Sequence, residues 1–481
     1  MLTDLLEVAA TSRGDALVVD GTPVSYAALW RRACGWAARY TDVGVLPGEH
    51  VLLQTSRSID LIAAQFGAWL VGAVSVPLDG GRPAAEVERA AGRCAASVIV
   101  ADPPVLRALD IAGHGARALL DVTVDPPVVH GPHRPVRRAE SSDALLLLTS
   151  GTTGESKFVR FSHRAMTANT RALVDAIGWR STDRCLTPVP AALPAVLATC
   201  VLPAFAVGAT AHLVSDRTPG RLVRSITRAA PTILFAVPYT YELLCGARVC
   251  SRLAAVDSLR LCLAASAPSS PELVRRFHTL TGQRIRPMYC TSEAGSVTYV
   301  DGCEEEDDHV SVGRPLPGVR VSIVGGGDVP VRPGEPGEVV VSGPLVGTDY
   351  LDEPEQSKRT FRADGVHTGD IGVLDTRGRL RLCGRLTDTI NHAGYSVSPQ
   401  EVEEVLAAHP AVAEALVRGE SDPLEFQRVV ALVVPTAGAT LDGLAAYCAE
   451  RLASYKVPQR FEVVPDLPRN AQGKLLRGSG S

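Results

Sequence analysis

Short apolar runs separated by helical stretches recur from Val51 to Leu263, and this alternation restricts the chain to parallel sheets covered by helices on both faces. Val51-Leu-Leu53, Val74-Ser-Val-Pro-Leu78, Val98-Ile-Val100, Leu145 to Leu148, Ala211 to Val214, Ile233 to Ala236 and Leu259 to Leu263 read as strands. Asp60 to Val71 and Arg221 to Ala229 read as helices. Ser25 is placed to cap a helix whose Leu29, Ala33, Trp36, Ala37 and Tyr40 follow helical spacing. Ser270-Pro-Glu272 opens another, with a cap and a proline at the first helical position. Pro103 to Glu140, rich in Pro, Gly and charge, reads as a surface run. Pro190 to Val214 is the most apolar stretch, but Pro194, Pro203 and Gly208 break it. It predicts a buried helix followed by a strand, not a membrane span.

At 481 residues the chain suits a large domain plus a smaller one. A formal charge of −4 gives no footprint for nucleic acid. The eleven cysteines are scattered without a CxxC pair, which suggests reduced thiols in the cytoplasm and neither a zinc site nor a disulfide framework. The first residues carry acids and no signal-peptide pattern, and Gly478-Ser-Gly-Ser481 reads as a linker or cloning scar.

The chemistry begins at Leu145-Leu-Leu-Leu-Thr-Ser-Gly-Thr-Thr-Gly-Glu-Ser-Lys157. Four leucines form a buried strand. Thr149, Ser150, Thr152 and Thr153 offer hydroxyls, Gly151 and Gly154 let backbone N–H groups approach an anion, and Lys157 adds a positive charge. Ser162 is placed to cap a helix starting near His163. This describes a phosphate cradle at a strand's carboxyl end, although the spacing is not that of a Walker A loop. Pro287-Met-Tyr-Cys-Thr-Ser-Glu293 sets an aromatic ring, hydroxyls and a carboxylate in one turn. Glu304-Glu-Glu-Asp-Asp308 reads as a solvated loop. Val312 to Val319 and Gly337 to Gly343 punctuate a β-rich subdomain. Ser398-Pro-Gln-Glu401 is a capping box, and Ala413 to Val417, Val429 to Val434 and a helix from Leu441 to Leu452 complete a small α+β domain.

Thr149 to Gly154 with Lys157 resembles the signature of the adenylate-forming superfamily of acyl- and aryl-CoA ligases, peptide-synthetase adenylation domains and luciferases. Four further stretches resemble its motifs in order: Tyr289-Cys-Thr-Ser-Glu293, Thr368-Gly-Asp370, Gly384-Arg-Leu-Thr-Asp388 with Ile390 to Pro399, and Gly473-Lys474 preceded by Tyr455-Lys-Val-Pro458. The resemblance implies a large AMP-binding domain over 1–385 with helix-covered parallel sheets, a hinge at 386–388 and a small mobile α+β domain over 389–477. It implies ATP and Mg²⁺ as cofactors, with CoA or a carrier protein as acceptor.

By the same resemblance, Lys474, Ser292 and Glu293 act in catalysis, and Glu293 holds Mg²⁺. The loop residues, Ser266, Ala267, Pro268, Tyr289 and Cys290 surround the nucleotide. Asp370 takes the ribose hydroxyls, Arg385 also contacts the nucleotide, and Thr387 occupies the hinge position that relatives fill with Asp or Lys. Ala191, Tyr239, Ala264, Ala265 and Cys290 fall at acyl-pocket positions. Cys290 stands where relatives have glycine, and Ala191 where amino-acid-activating relatives carry the aspartate that pairs with the substrate ammonium. An α-amino acid would bury an unpaired cation there, so an aryl or short acyl acid is expected. Two other readings stay open: activation of nitrite for transfer to an aryl amine, and a non-catalytic nucleotide-binding regulator.

Overall fold

The computed structural model describes residues 2–9, 14–112, 115–124, 142–149, 157–246, 253, 256–267, 269–301, 311–386, 390–392, 395–422, 426–441, 443–452, 456–469 and 475. The chain divides into two compact units, Met1–Val321 with Val341–His367, and Ser322–Val340 with Thr368–Ser481.

The first unit holds two large sheets. In one, strands Ala118–Asp121, Ala96–Ala101, His50–Thr55, Val74–Asp79 and Asp143–Leu148 lie parallel in that order, and Phe158–Ser162 closes the edge antiparallel to Asp143–Leu148. In the other, Asp15–Val19, Thr210–Leu213, Arg184–Thr187, Ile233–Ala236, Leu261–Ala264 and Ile285–Thr291 run parallel, with antiparallel strands at both edges. Apolar runs without alternation are what sheets covered on both faces require. Strand periodicity then sorts the side chains. Ile233, Phe235, Leu263 and Ala265 enter one apolar cluster, while Leu234, Ala236, Cys262 and Ala264 enter another.

The helices follow their caps. Ser25 Oγ accepts from Ala28 N at 3.2 Å and starts the Tyr26–Asp42 helix, which buries Leu29, Ala33, Trp36, Ala37 and Tyr40. Ser162 Oγ accepts from Ala165 N at 3.1 Å and starts His163–Ile177; Ser270 Oγ accepts from Leu273 N at 3.1 Å and starts Pro271–Thr281. The Ser58–Leu70 helix crosses Tyr26–Asp42 at Gly67, where an added Cβ would lie 2.5 Å from Trp36 Cβ and 2.9 Å from the Ala33 carbonyl oxygen. Backbone cannot yield as a side-chain tip can. Gly67→Ala should therefore destabilise the protein by about 1–3 kcal/mol, read as a lowered midpoint in urea at unchanged slope.

Pro103 to Glu140 and the C-terminal helix differ from the sequence reading. Pro103 to Glu140 is not wholly a surface run: Pro103–Ala112 is a helix and Ala118–Asp121 extends the first sheet, where Leu120 is buried. Pro103 and Pro104 are tolerated in the first helical turn, which lacks N–H acceptors anyway. The C-terminal helix is Leu444–Ala449, shorter than Leu441 to Leu452. Pro190 to Val214 forms Pro194–Val196, a π-helical turn Leu197–Val201, Leu202–Val207 and the strand Thr210–Leu213. Among the described residues no helix is long and apolar enough to cross a membrane.

In the second unit, residues 370–374 run antiparallel to Leu380–Arg385, with Asp370 opposite Arg385. Val412–Asp422 and Phe426–Pro435 form a long antiparallel pair, and Arg460–Val463 adds in parallel. Ser398 caps Pro399–Ala407. Glu401 turns its carboxylate to Lys456 Nζ, at 2.7 and 2.8 Å.

Candidate active site

The glycine-rich loop hangs from an antiparallel hairpin. Leu148 pairs with Phe158, and two hydrogen bonds close the base: Thr149 N to the Lys157 carbonyl oxygen at 2.7 Å and Lys157 N to Thr149 Oγ1 at 3.1 Å. Thr149 is buried; Ser150, Gly151, Thr152, Thr153 and Gly154 lie outside the described residues. The Lys157 ammonium stands 5.0 Å from the ring centre of Tyr350 and forms no ion pair among the described residues.

A second hairpin, Ile285–Thr291 against Gly295–Tyr299, carries the aromatic–hydroxyl–carboxylate turn. Cys290 pairs with Ser296 and Thr291 with Gly295, and Thr291 Oγ1 accepts from Ala294 N at 2.9 Å. Gly295 has φ +66°, the left-handed region that the tight turn needs. Asn169 Oδ1, from the His163–Ile177 helix, accepts from Ser296 N at 3.0 Å. Gly347 N donates to the Glu293 carbonyl oxygen at 2.8 Å, and Tyr350 Oη donates to Glu293 Oε1 at 2.8 Å. Ser292 and Glu293 are half-buried, and Tyr289 is buried. Burial pushes the Cys290 thiol up to about 11, so it stays neutral and is not activated as a nucleophile.

Ser266 and Ala267 follow the Leu261–Ala264 strand at its carboxyl end and are exposed; Pro268 lies outside the described residues. Ser266 adopts φ +73°, a conformation glycine takes without strain. Of the pocket positions, Ala265 lies in the apolar cluster against which Ala191 and Cys290 pack. Ala264 faces the other cluster, and Tyr239 is 55% exposed at the start of Pro238–Gly246.

In the second unit Asp370 is 6% exposed and its Oδ1 accepts from Arg385 Nε at 2.9 Å. The turn before it is fixed by Thr368 Oγ1, which donates to the Val339 carbonyl oxygen and accepts from Asp370 N, and by Gly369 N donating to Glu338 Oε1 at 3.0 Å. Thr387 and Lys474 lie outside the described residues. Sequence reasoning missed Tyr350, Gly347 and Asn169. Tyr350 stands 57 residues from Glu293, and no local pattern signals such a contact.

Glu293 supplies a single oriented carboxylate, a donor set that suits a divalent cation only together with phosphate oxygens. One carboxylate oxygen is oriented by a phenol, and among the described residues no group of three His, Cys, Asp or Glu gathers to hold a metal without help from phosphates. The described residues thus gather helix-covered parallel sheets, a closed hairpin base, a lysine and an oriented carboxylate. The chain belongs to the AMP-binding enzyme family, which matches residues 6–351; the AMP-binding enzyme C-terminal domain matches residues 401–474. This is the adenylate-forming class that the motifs resemble.

Among curated relatives, the chain is similar to feruloyl-CoA synthase from Amycolatopsis sp, 32% identical over 463 residues that cover 95% of this chain and 93% of that one. It is also similar to salicylyl-CoA synthase / salicylate adenylyltransferase from Streptomyces sp, 29% identical over 509 residues covering 97% and 90%. Among solved structures, ATP-bound MatB from Rhodopseudomonas palustris superposes with a TM-score of 0.91 at 26% identity, covering 99% of this chain and 97% of that one.

Proposed function

We propose that the protein is an AMP-forming acid–thiol ligase. It activates an aryl or short acyl carboxylic acid as acyl-AMP, releases pyrophosphate, and passes the acyl group to a thiol of CoA or a carrier protein. The observation that carries the reading is the Glu293 carboxylate, oriented at 2.8 Å by Tyr350, whose ring also faces the Lys157 ammonium at the base of the glycine-rich loop. Relatives named for CoA ligation of aryl acids support the substrate class.

The roles follow from charge. A carboxylate oxygen of the acid attacks the α-phosphorus, and the bond to the bridging oxygen of pyrophosphate breaks. Negative charge gathers on the phosphates in the transition state. Donors of the loop from Thr149 to Gly154, Lys157 and Lys474 offset it, and Ser292 donates to phosphate. Glu293 would hold Mg²⁺, which when bound neutralises phosphate charge. Asp370 accepts from the ribose hydroxyls with Arg385 beside it, and Tyr289 lies against the adenine. The thiol then attacks the acyl carbon and AMP leaves. Thr387 serves as the hinge residue between domains at 1–385 and 389–477. The described residues hold nine cysteines outside disulfides, and the reducing cytoplasm is the compartment we assign.

Ala191 offers no partner to an ammonium, and it packs with Cys290 against an apolar cluster. A panel of acids in ATP–pyrophosphate exchange tests this. Aryl and short acyl acids should drive exchange, and the standard α-amino acids should not. Strong exchange with an α-amino acid at modest concentration would contradict the substrate reading. Exchange with nitrite and none with any carboxylic acid would replace acid activation by nitrite activation.

A further inference from the structure

We propose that Tyr350 is a positioning residue for the reaction: its hydroxyl fixes the Glu293 carboxylate for the metal–nucleotide while its ring face holds the Lys157 ammonium. The proposal rests on the reading that Glu293 serves the metal.

The segment that carries Tyr350 is built onto the loop hairpin. Thr348 N donates to the Arg160 carbonyl oxygen at 3.1 Å, Arg160 N to that of Asp349 at 3.0 Å, and Leu351 N to that of Phe158 at 2.8 Å. Residues 348–351 thus pair with Phe158–Ser162, the strand that begins one residue after Lys157. At Gly347 the same segment hydrogen-bonds the Glu293 backbone. An added Cβ at Gly347 would meet Val159 Cγ1 at 2.7 Å and the Glu293 carbonyl oxygen at 3.0 Å, so the close approach needs glycine. One short segment therefore ties the phosphate-loop strand to the carboxylate turn.

Tyr350 itself is held on several sides. Its ring meets Phe361 edge-on at 5.1 Å, its N donates to Ser357 Oγ at 2.9 Å, and Ser357 Oγ donates to its carbonyl oxygen at 3.2 Å. It is 7% exposed. A carboxylate and an ammonium free to meet would pair with each other. Here the tyrosine engages Oε1 of one and faces the other across its ring, which leaves Oε2 for a cation and the ammonium for a phosphate.

Tyr350→Phe keeps the ring over Lys157 and the packing on Phe361 and removes the hydroxyl alone. The test is Mn²⁺ binding to the ATP complex, followed by electron paramagnetic resonance, beside ATP binding in EDTA by equilibrium dialysis. Tyr350→Phe should raise the Mn²⁺ half-saturation about tenfold, as expected for a lost hydrogen bond to a charged group. ATP affinity in EDTA should stay within twofold of wild type. Glu293→Gln should weaken Mn²⁺ binding at least as much, and the double variant should be no weaker than Glu293→Gln alone. If Glu293→Gln weakens Mn²⁺ binding and Tyr350→Phe does not, the positioning role is overturned and the metal reading stands. If Glu293→Gln binds Mn²⁺ like wild type, the metal reading falls and the proposal falls with it.

Discussion

Lys474→Ala should slow adenylate formation by roughly 10²–10³, the loss expected when one preorganised donor worth about 3–4 kcal/mol is removed from a transition state. On the proposed role of Lys474, the negative charge it offsets peaks as the acid oxygen meets the α-phosphorus. An interaction made only there lowers turnover without weakening ground-state binding. ATP affinity should therefore change little. The second half-reaction, started from purified acyl-adenylate and thiol, should survive better, since no pyrophosphate leaves in that step. Single-turnover release of pyrophosphate, with ATP binding measured separately, checks both parts. Release at the wild-type rate would remove Lys474 from the mechanism.

Asp370→Asn should raise the ATP dissociation constant on the order of 100-fold, with turnover at saturating ATP falling far less, if Asp370 takes the ribose hydroxyls as proposed. Asp370 is buried on its strand opposite Arg385 and already accepts one charge-assisted bond at 2.9 Å. Two ribose hydroxyls donating to the same carboxylate would each meet an ionised acceptor, and hydrogen bonds of that kind contribute about 1.5–3 kcal/mol. Asparagine keeps the shape but loses the charge and one acceptor. The side chain of Arg385 is 38% exposed and can rehydrate, so the variant should fold. Deoxy-ATP supplies the matching control: wild type should lose affinity for it, and Asp370→Asn should lose much less. Equal losses in both proteins would place the ribose elsewhere.

The fold was legible where its strands are buried along most of their length. Runs such as Leu145 to Leu148 and Ile233 to Ala236 announce themselves by composition, and Ser25, Ser162 and Ser270 mark helix starts through side-chain geometry that is local in sequence. The strand Phe158–Ser162 was not legible because Arg160 interrupts its apolar run and Ser162 marks a helix start, although Phe158, Val159 and Phe161 are all buried. The loop hairpin is thus closed at its base rather than running directly into a helix. The motif residues of the site could be read from type and spacing, since Asp370 and Glu293 each lie within a short stretch. Their supports could not. Tyr350 meets Glu293, and Asn169 meets Ser296, through contacts that span 57 and 127 residues, and such distances are set by sheet order alone.

The central claim is that a carboxylate oxygen attacks the α-phosphorus. The most direct test supplies the acid that supports the fastest exchange with both carboxylate oxygens replaced by ¹⁸O, together with ATP and CoA, and reads the products by mass spectrometry. One ¹⁸O should appear in AMP and none in orthophosphate, because the oxygen that bonded to phosphorus leaves with AMP when the thiol takes the acyl group. Label in orthophosphate with formation of ADP, or unlabelled AMP beside the thioester, would contradict the account.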